Sequence, residues 1–367
     1  MERFFTLLSS PLKTHDSLVR VGGRLGTFLP QWESISPNQF VLAVIRGGYR
    51  LEFSSPPPQR YLVTHLPRDK EKSEALLGAL RELEDQSVIL RVPRAEEGRG
   101  FYSHIFVVKK PSGKYRLILN LKPLNRSISY RKFRMESIYT VRALLPLNCF
   151  MVSLDLRDAY LHVPFAENSQ SYLRLAVDLE GTIVHLQFQA LPFGLSSSPR
   201  IFTKILAEPI AFLRLQGISI IAYLDDLLLF AASPEQLSRD LEVTKKVLTD
   251  LGWLLNLDKS SLIPSQQITY LGYLLDSTLS RVFLPVEKVK KLDRAVASLQ
   301  NNQQVSLRSL MSTLGLLTSA LPAVQWAGLH FRPLQAFLLK VWDHSLETLD
   351  SLILVPLQVK RSLWWWR

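Results

Sequence analysis

GISIIAYLDDLLLFAA, residues 217–232, sets two adjacent carboxylates, Asp225 and Asp226, between apolar runs long enough for one strand each. The stretch reads as two buried strands folded about a central acidic pair. Burying two like charges side by side is costly unless something positive sits on them. An isolated Asp-Asp between strands also has a plainer reading, an acidic turn that points into water. The pair needs an independent partner before it can be read as chemistry.

Working outward, the partner lies upstream. FMVSLDLRDAYLHVPF (150–165) begins as a strand and puts Asp155 at the end of an apolar run, with Asp158 three positions on. Alone, Asp155 is an ordinary strand-end or helix-start aspartate. The segment from Ser196 to about Leu215 reads as a helix. SPEQLSRDLEVTKKVLTDLG (233–252) reads as another, opened by Ser-Pro with Glu235 behind it and closed at Gly252. A short strand pair around ITYLGYLL (268–275) follows. In chain order this is strand, helix, strand, strand, helix, strand, the order of a ferredoxin-like sheet with helices on one face, within an α+β fold. In that order the first strand lies beside the central hairpin, so Asp155 is expected to face Asp225 and Asp226. Three converging carboxylates imply divalent cations. Hard oxygen ligands select Mg²⁺ or Mn²⁺, and two ions ~3.5 to 4 Å apart clamp the attacking and leaving oxygens of phosphoryl transfer. The expected reaction is nucleotidyl transfer from a nucleoside triphosphate to a primer 3′-hydroxyl.

The rest of the chain frames this centre. Residues up to about Pro58 mix Gly pairs (Gly22-Gly23, Gly47-Gly48) with short apolar runs and end in Ser54-Ser-Pro-Pro-Pro58, read as a stiff connector and a boundary. Helical spacing on a charged background predicts a surface helix from Arg68 to about Leu90. SHIFVVKK (103–110), a Pro-Ser-Gly-Lys turn and YRLILNL (115–121) predict a β-hairpin flanked by Lys109, Lys110, Lys114 and Arg116. From Pro285 on, the pattern is mostly helical. With 44 Lys plus Arg against 32 Asp plus Glu, the formal net charge of +12 favours a polyanionic partner such as nucleic acid. The single cysteine, Cys149, excludes an intramolecular disulfide framework and a cysteine-built zinc site, and it fits a reducing compartment. The N-terminal MERFFTLLSSPLK has no small-residue cleavage signature, and no uncharged apolar run approaches the ~18 to 20 residues needed to span a bilayer. A soluble intracellular protein, cytoplasmic or nuclear and not secreted, is expected.

The blocks YRLILNLKPLN (115–125), SLDLRDAYLHVPF (153–165), LPFGLSSSPRIFTKIL (191–206), IAYLDDLLLF (221–230) and ITYLGYLL (268–275) resemble, in order and spacing, retroelement reverse transcriptases. GGRLGTFLPQWESISPNQFVLAVIRGGYRLEF (22–53) and LGLLTSALPAVQWAGLHFRPLQ (314–335) make the resemblance closest to DIRS-type retrotransposons, the group that carries a tyrosine recombinase. The resemblance implies a right-hand polymerase with a ferredoxin-like palm and two Mg²⁺ (or Mn²⁺) ions on Asp155, Asp225 and Asp226. Its substrates would be an RNA or DNA template with its primer, and dNTP. It implies backbone contacts to the triphosphate at Asp158 and Ala159, and a steric gate at Tyr160 that collides with a ribose 2′-hydroxyl. Lys109 and Arg116 would grip the triphosphate from a mobile basic ribbon. Phe193-Gly194 would line the nucleotide pocket, although retroviral enzymes usually carry glutamine at the Phe193 position. Lys259 would be a proton donor near the leaving pyrophosphate. Leu271-Gly272-Tyr273 would form a primer grip, and Tyr130–Arg134 would lie along the template backbone. Plain alternatives stand beside these: a core aromatic for Tyr160, solvated lysines at Lys110, Lys114 and Lys259, and an ordinary exposed face at 130–134.

The implied domains are an element-specific segment at 1–67, fingers and palm over 68–283, and a helical thumb or connection-like region at 284–367. Fingers take about 68–150 and 165–190, and palm about 151–164 and 191–283. No acidic strand motif follows Tyr273, and the apolar Leu363–Trp366 is odd for a finished surface, so a polymerase part of a polyprotein ending before a ribonuclease H domain is expected. Two rivals remain: a domesticated, catalytically silent nucleic-acid-binding relic, and an RNA-templated RNA polymerase, against which Tyr160 speaks. Oligomeric state is not legible.

Overall fold

The computed structural model describes residues 20–110, 113–343 and 348–366. The N-terminal stretch read for a signal peptide, and Pro111-Ser112 of the hairpin turn, lie outside the described residues. The chain divides into two compact units. The first takes the described residues up to Met135 together with Leu154–Leu227 and Arg239–Ser260; the second takes Glu136–Ser153, Leu228–Ser238 and the chain from Ser261 on.

The first unit opens with helices α1 (Leu29–Ile35) and α2 (Gln39–Gly47). Pro30 suits the first turn of α1, where its missing N–H costs nothing. Asn38 caps α2 by accepting from the N–H groups of Phe40 and Val41. Gly48 ends it at φ 78°, where a Cβ would meet the Ala166 nitrogen at 2.4 Å. Trp32 is fully buried and its indole donates to the Leu251 carbonyl at 3.0 Å. Ser36 and Asn38 donate to the Glu208 carboxylate at 2.7 and 2.9 Å. The Pro-rich connector at 54–58 thus lies inside this unit.

Strand β1 (Val63–His65) precedes helix α3 (Lys70–Asp85), which Asp69 caps by accepting from the Lys72 N–H. The helix ends short of Leu90. Ser87 turns left-handed at φ 56°, and the β-branched, fully buried Ile89 enters strand β2 (Ile89–Arg91) opposite Phe188. The expected hairpin is formed by β3 (Ile105–Lys109) and β4 (Tyr115–Leu119), with Ile105 opposite Leu119 and Lys109 opposite Tyr115.

β5 (Phe150–Asp155) is followed by β6 (Arg174–Leu179) and β7 (Thr182–Phe188), which join β1 and β2 in a four-stranded sheet of order β1-β6-β7-β2. Then come α4 (Ser198–Leu215), β8 (Ile220–Tyr223), β9 (Asp226–Ala231), α5 (Pro234–Asp250) and β10 (Ser261–Ser265). The strands β5, β8, β9 and β10 form a sheet of order β10-β5-β9-β8, the ferredoxin-like arrangement in which the first strand neighbours the third. The fourth strand is SLIPS, not the ITYLGYLL pair of the sequence reading. Pro264 is accommodated because β10 sits at the sheet edge, where a missing N–H is tolerated.

In the second unit ITYLGYLL folds as β11 (Gln267–Tyr270) and β12 (Tyr273–Asp276), with β13 (Arg281–Phe283) completing a separate antiparallel sheet. The rest is mostly helical: α6 (Val286–Asn301), α7 (Leu307–Ala320), α8 (Ala327–Val341) and α9 (Leu357–Trp364). Their core gathers Val296, Leu299, Leu310, Leu317, Leu334 and Leu363. The terminal apolar run is therefore split: Leu363 is buried, Trp364 is exposed, and Trp365 stacks on His330 at 4.2 Å. Cys149 is a buried free thiol. Among the described residues no helix is long and apolar enough to cross a membrane.

Candidate active site

The acidic hairpin turns on Leu224 and Asp225. Leu224 sits left-handed at φ 53°, a conformation that costs a branched residue about 1 kcal/mol or more and that clusters at functional sites. The Leu156 N–H donates to the Asp225 carbonyl at 3.0 Å, which ties the end of β5 to the turn. Asp155 ends β5 and Asp226 opens β9, so neighbouring strands deliver the carboxylates to one end of the sheet.

The electrostatics follow from burial. The Asp155 side chain is 13% exposed, its Oδ1 has no hydrogen-bond partner, and the nearest cation is the Lys259 ammonium at 3.9 Å. Burial holds this carboxyl above the ordinary carboxylate range, while Lys259 and the Asn256 side chain pull it down and Asp225 and Asp158 push it up. Asp226 is pushed up to about 6, by burial first and then by Asp225 and Asp155, against Lys259. Asp155 and Asp226 therefore both sense the charge of Asp225. Yet among the described residues no group of three His, Cys, Asp or Glu side chains is close enough to hold a metal ion. The expected convergence is an electrostatic neighbourhood, as like charges in partly dehydrated surroundings repel. The donor set still fits a hard divalent cation: it is all carboxylate oxygen, and one buried oxygen, Asp155 Oδ1, has no hydrogen-bond partner.

Tyr160 lies on the 3-10 turn Ala159–His162, which opens from a left-handed Asp158 (φ 48°). Its ring is almost buried, 4.7 Å from Phe193 and 5.2 Å from Phe202 between centroids. Burial, then the charges of Asp225 and Tyr223, pushes its phenol up to about 12. It is thus a packed aromatic and a neighbour of the acidic site at once, and Ala159 beside it is buried. Gly194 adopts φ 90°, and a Cβ there would stand 3.2 Å from the Leu119 carbonyl. The Asn125 amide donates to the Gly194 carbonyl at 2.9 Å and accepts from the Ser196 N–H at 2.9 Å, pinning the Phe193-Gly194 turn. Sequence reading missed Asn125, although it closes the YRLILNLKPLN block.

The basic hairpin departs from expectation. Lys109 pairs with Tyr115 and Val108 with Arg116, so Lys109 and Arg116 point to opposite faces. Lys109 turns to α3, where its ammonium meets Glu71 at 3.0 and 3.3 Å and stands 5.4 Å from the Tyr115 ring centroid. The Lys110 N–H continues the ladder to the Lys114 carbonyl at 2.7 Å, and period-two alternation puts Lys110 on the Arg116 side. Lys110, with a solvated lysine as its plain reading, thus shares the face of Arg116, and Lys109, the expected partner of Arg116, does not.

Lys259 is 71% exposed. In the second unit Leu271 (φ 49°) and Gly272 (φ 73°) make the left-handed turn between β11 and β12. The Tyr273 hydroxyl donates to the Ser319 carbonyl at 2.7 Å under the Lys288 ammonium, 4.6 Å from its ring. Tyr130 is 89% exposed, and Arg131 of the same stretch pairs with Glu52 at 2.9 Å. A further residue absent from the sequence reading is His162. It is fully buried, packs 5.3 Å from Trp253, and accepts the Leu254 N–H at its Nε2 (3.2 Å). Burial lowers its pKa to about 4.

The fold and the acidic site define a class. Structures of foamy viral protease-reverse transcriptase in complex with double-stranded DNA match over 98% of this chain and 62% of theirs at a TM-score of 0.66 and 19% identity, and over 100% and 70% at 0.64 and 19%. The fold is that of a right-hand polymerase. Residues 108–275 match the family described as reverse transcriptase (RNA-dependent DNA polymerase). The Gag-Pol polyprotein of Rous sarcoma virus subgroup B is 30% identical over 179 residues, 47% of this chain and 11% of the polyprotein. Protein P of duck hepatitis B virus is 26% identical over 227 residues, 59% of this chain and 26% of that protein. The chain thus spans a small part of the curated relatives it matches.

Proposed function

We propose that this chain is an RNA-directed DNA polymerase of a retrotransposon, and that Asp155, Asp225 and Asp226 hold two divalent ions, Mg²⁺ or Mn²⁺. The observation that carries the reading is the acidic end of the sheet: within a stretch that matches reverse transcriptases, a buried carboxylate oxygen of Asp155 lacks a hydrogen-bond partner, and the charge of Asp225 adds to burial in raising the proton affinity of Asp155 and Asp226. When bound, the ions would supply Lewis acidity at the α-phosphate and lower the pKa of the primer 3′-hydroxyl. The oxygen–phosphorus bond forms as the bond to pyrophosphate breaks, and the proton of the 3′-hydroxyl passes to water. Lys259 is assigned the proton that the pyrophosphate takes up.

Asp158 and Ala159 offer backbone N–H groups to the triphosphate, and Tyr160, backed by Phe193, excludes a 2′-hydroxyl. Gly194 keeps the pocket wall thin. On the basic hairpin Arg116 grips the triphosphate, with Lys110 in place of Lys109. Leu271-Gly272-Tyr273 is the primer grip, and Tyr130–Arg134 lines the path of an RNA or DNA template. Fingers, palm and helical thumb take the boundaries expected from the sequence. The blocks at 22–53 and 314–335 support a DIRS-type origin. An intracellular site of action, cytoplasmic or nuclear, fits the basic charge and the single reduced cysteine.

Primer extension on an RNA template with Mg²⁺ and dNTP tests this. The unmodified chain is expected to extend and Asp225→Asn to fail; no extension by the intact protein, or undiminished extension by Asp225→Asn, would sink it. Tyr160→Ala should admit ribonucleotides.

A further inference from the structure

Asp155 sits where β5 stops, and a strand end needs a partner for its backbone groups. The chain from Leu254 to Ser260 supplies it. The Arg157 N–H donates to the Leu254 carbonyl at 2.8 Å, Leu156 bridges to Leu255, and the Asn256 N–H donates to the Asp155 carbonyl at 2.8 Å. The ring is closed by one side chain. The Asp155 N–H donates to Ser260 Oγ at 3.0 Å, and that hydroxyl donates onward to the Asn256 carbonyl at 2.7 Å. Ser260 therefore fills the ladder position that β10, beginning at Ser261, does not reach. The tight turn it closes, with the Lys259 N–H donating to the Asn256 carbonyl at 3.3 Å, also carries Lys259, whose ammonium lies 3.9 Å from Asp155 Oδ1.

We propose that Ser260 is a positioning residue: its hydroxyl fixes the backbone at Asp155, and so aims that carboxylate and seats Lys259 beside it. This rests on the reading of Asp155 as a working carboxylate. Alanine at 260 leaves the partly buried Asp155 N–H without its acceptor and frees the end of β5 to shift. Small displacements of a catalytic group cost far more in rate than in stability. Threonine keeps the hydroxyl, and cysteine keeps the size with a weak donor and acceptor.

The experiment compares the full chain with Ser260→Ala, Ser260→Thr and Ser260→Cys. Four quantities are read: the thermal midpoint, primer-template affinity by anisotropy, Mn²⁺ affinity by calorimetry on the protein alone, and kcat and KM for one dNTP. In Ser260→Ala, kcat is expected to fall about ten- to a hundredfold and Mn²⁺ affinity about tenfold. KM for dNTP and primer-template affinity hold, and Ser260→Thr restores both losses. Unchanged kcat and Mn²⁺ affinity in Ser260→Ala overturn the proposal, as does a threonine variant no better than alanine. If Ser260→Ala does not fold, Ser260→Cys decides: an intermediate loss supports the assignment, and unmodified values refute it. Should the unmodified chain extend no primer, the polymerase reading fails, while the Mn²⁺ titrations of the variants still decide whether Ser260 aims Asp155.

Discussion

Two hairpins of this chain make opposite use of charge. The β8–β9 hairpin buries its strands and presses carboxylates into partly dehydrated surroundings, where burial and then the charges of Asp225 and Asp155 raise the proton affinity of Asp226. The β3–β4 hairpin carries its lysines in water, and Lys109 is half exposed against Glu71. In the first, position and chemistry are locked together: the Asp225 carbonyl is bonded to Leu156, and both ends of Asp155 are tied to 256–260. In the second, backbone register alone decides which side chains can act together. A buried charge announces its role through its cost; an exposed one does so only through geometry.

The sharpest way to break the contrast is to neutralise the buried side. Asp155→Asn and Asp225→Asn keep size and remove the negative charge, so single-nucleotide incorporation is expected to fall at least about a thousandfold, while the thermal midpoint holds or rises as repulsion is relieved. Residual activity within tenfold of the unmodified chain would mean that the acidic hairpin is an ordinary turn.

His162 extends the buried side to pH. Its pKa is lowered from 6.5 to about 4, so the unfolded chain takes up this proton first on acidification. The stability this group contributes is present above pH 6.5 and is lost as pH falls towards about 4, amounting to roughly 3 kcal/mol when complete. The raised Asp226 carboxyl works in the opposite sense over much of that range, so the readable quantity is a difference. Chemical denaturation of the unmodified chain and of His162→Gln should converge as pH falls through this window. Parallel curves would mean that His162 is protonated alike in both states.

On the exposed hairpin the register predicts a split. Arg116→Ala should raise KM for dNTP about tenfold or more through loss of charge-assisted hydrogen bonds. Lys110→Ala should do so less, and Lys109→Ala should leave KM nearly unchanged. Steady-state kinetics on the three variants checks the order, and a Lys109 effect equal to that of Arg116 would mean that the hairpin rearranges in the working enzyme.

How much was legible follows the same division. The acidic hairpin, the strand carrying Asp155, the helices at 198–215 and 234–250 and the left-handed Gly252 were readable, because apolar runs bounded by charge, Pro and Gly have few alternatives. The fourth strand of the sheet was not: Ser261–Ser265 is short and polar and contains Pro264, and it is a strand because β5 offers it an edge. The helix at 70–85 was extended too far because Gln86–Val88 carries no Gly or Pro, and Ser87 turns left-handed under tertiary demand. The site aspartates were legible as a type of chemistry, but not their ties. Asn125, His162 and Ser260 are ordinary polar residues whose meaning depends on a distant backbone group coming within 3.3 Å.

The smallest expected effect is the most pointed test of the exposed side. Glu71 of α3 holds Lys109 of the hairpin, and this contact, then one with Tyr115, keeps its carboxyl below the ordinary range. Both partners of the ion pair are more than half exposed, so water screens it and side-chain entropy opposes it. Glu71→Gln should therefore leave the thermal midpoint within experimental error at moderate salt and leave KM for dNTP unchanged, since Lys109 faces α3 and not the side of Arg116. If Glu71→Gln instead lowers KM and Lys109→Ala abolishes that gain, the ion pair is a restraint that Lys109 must leave in order to act. The two faces of the hairpin would then differ only until substrate arrives.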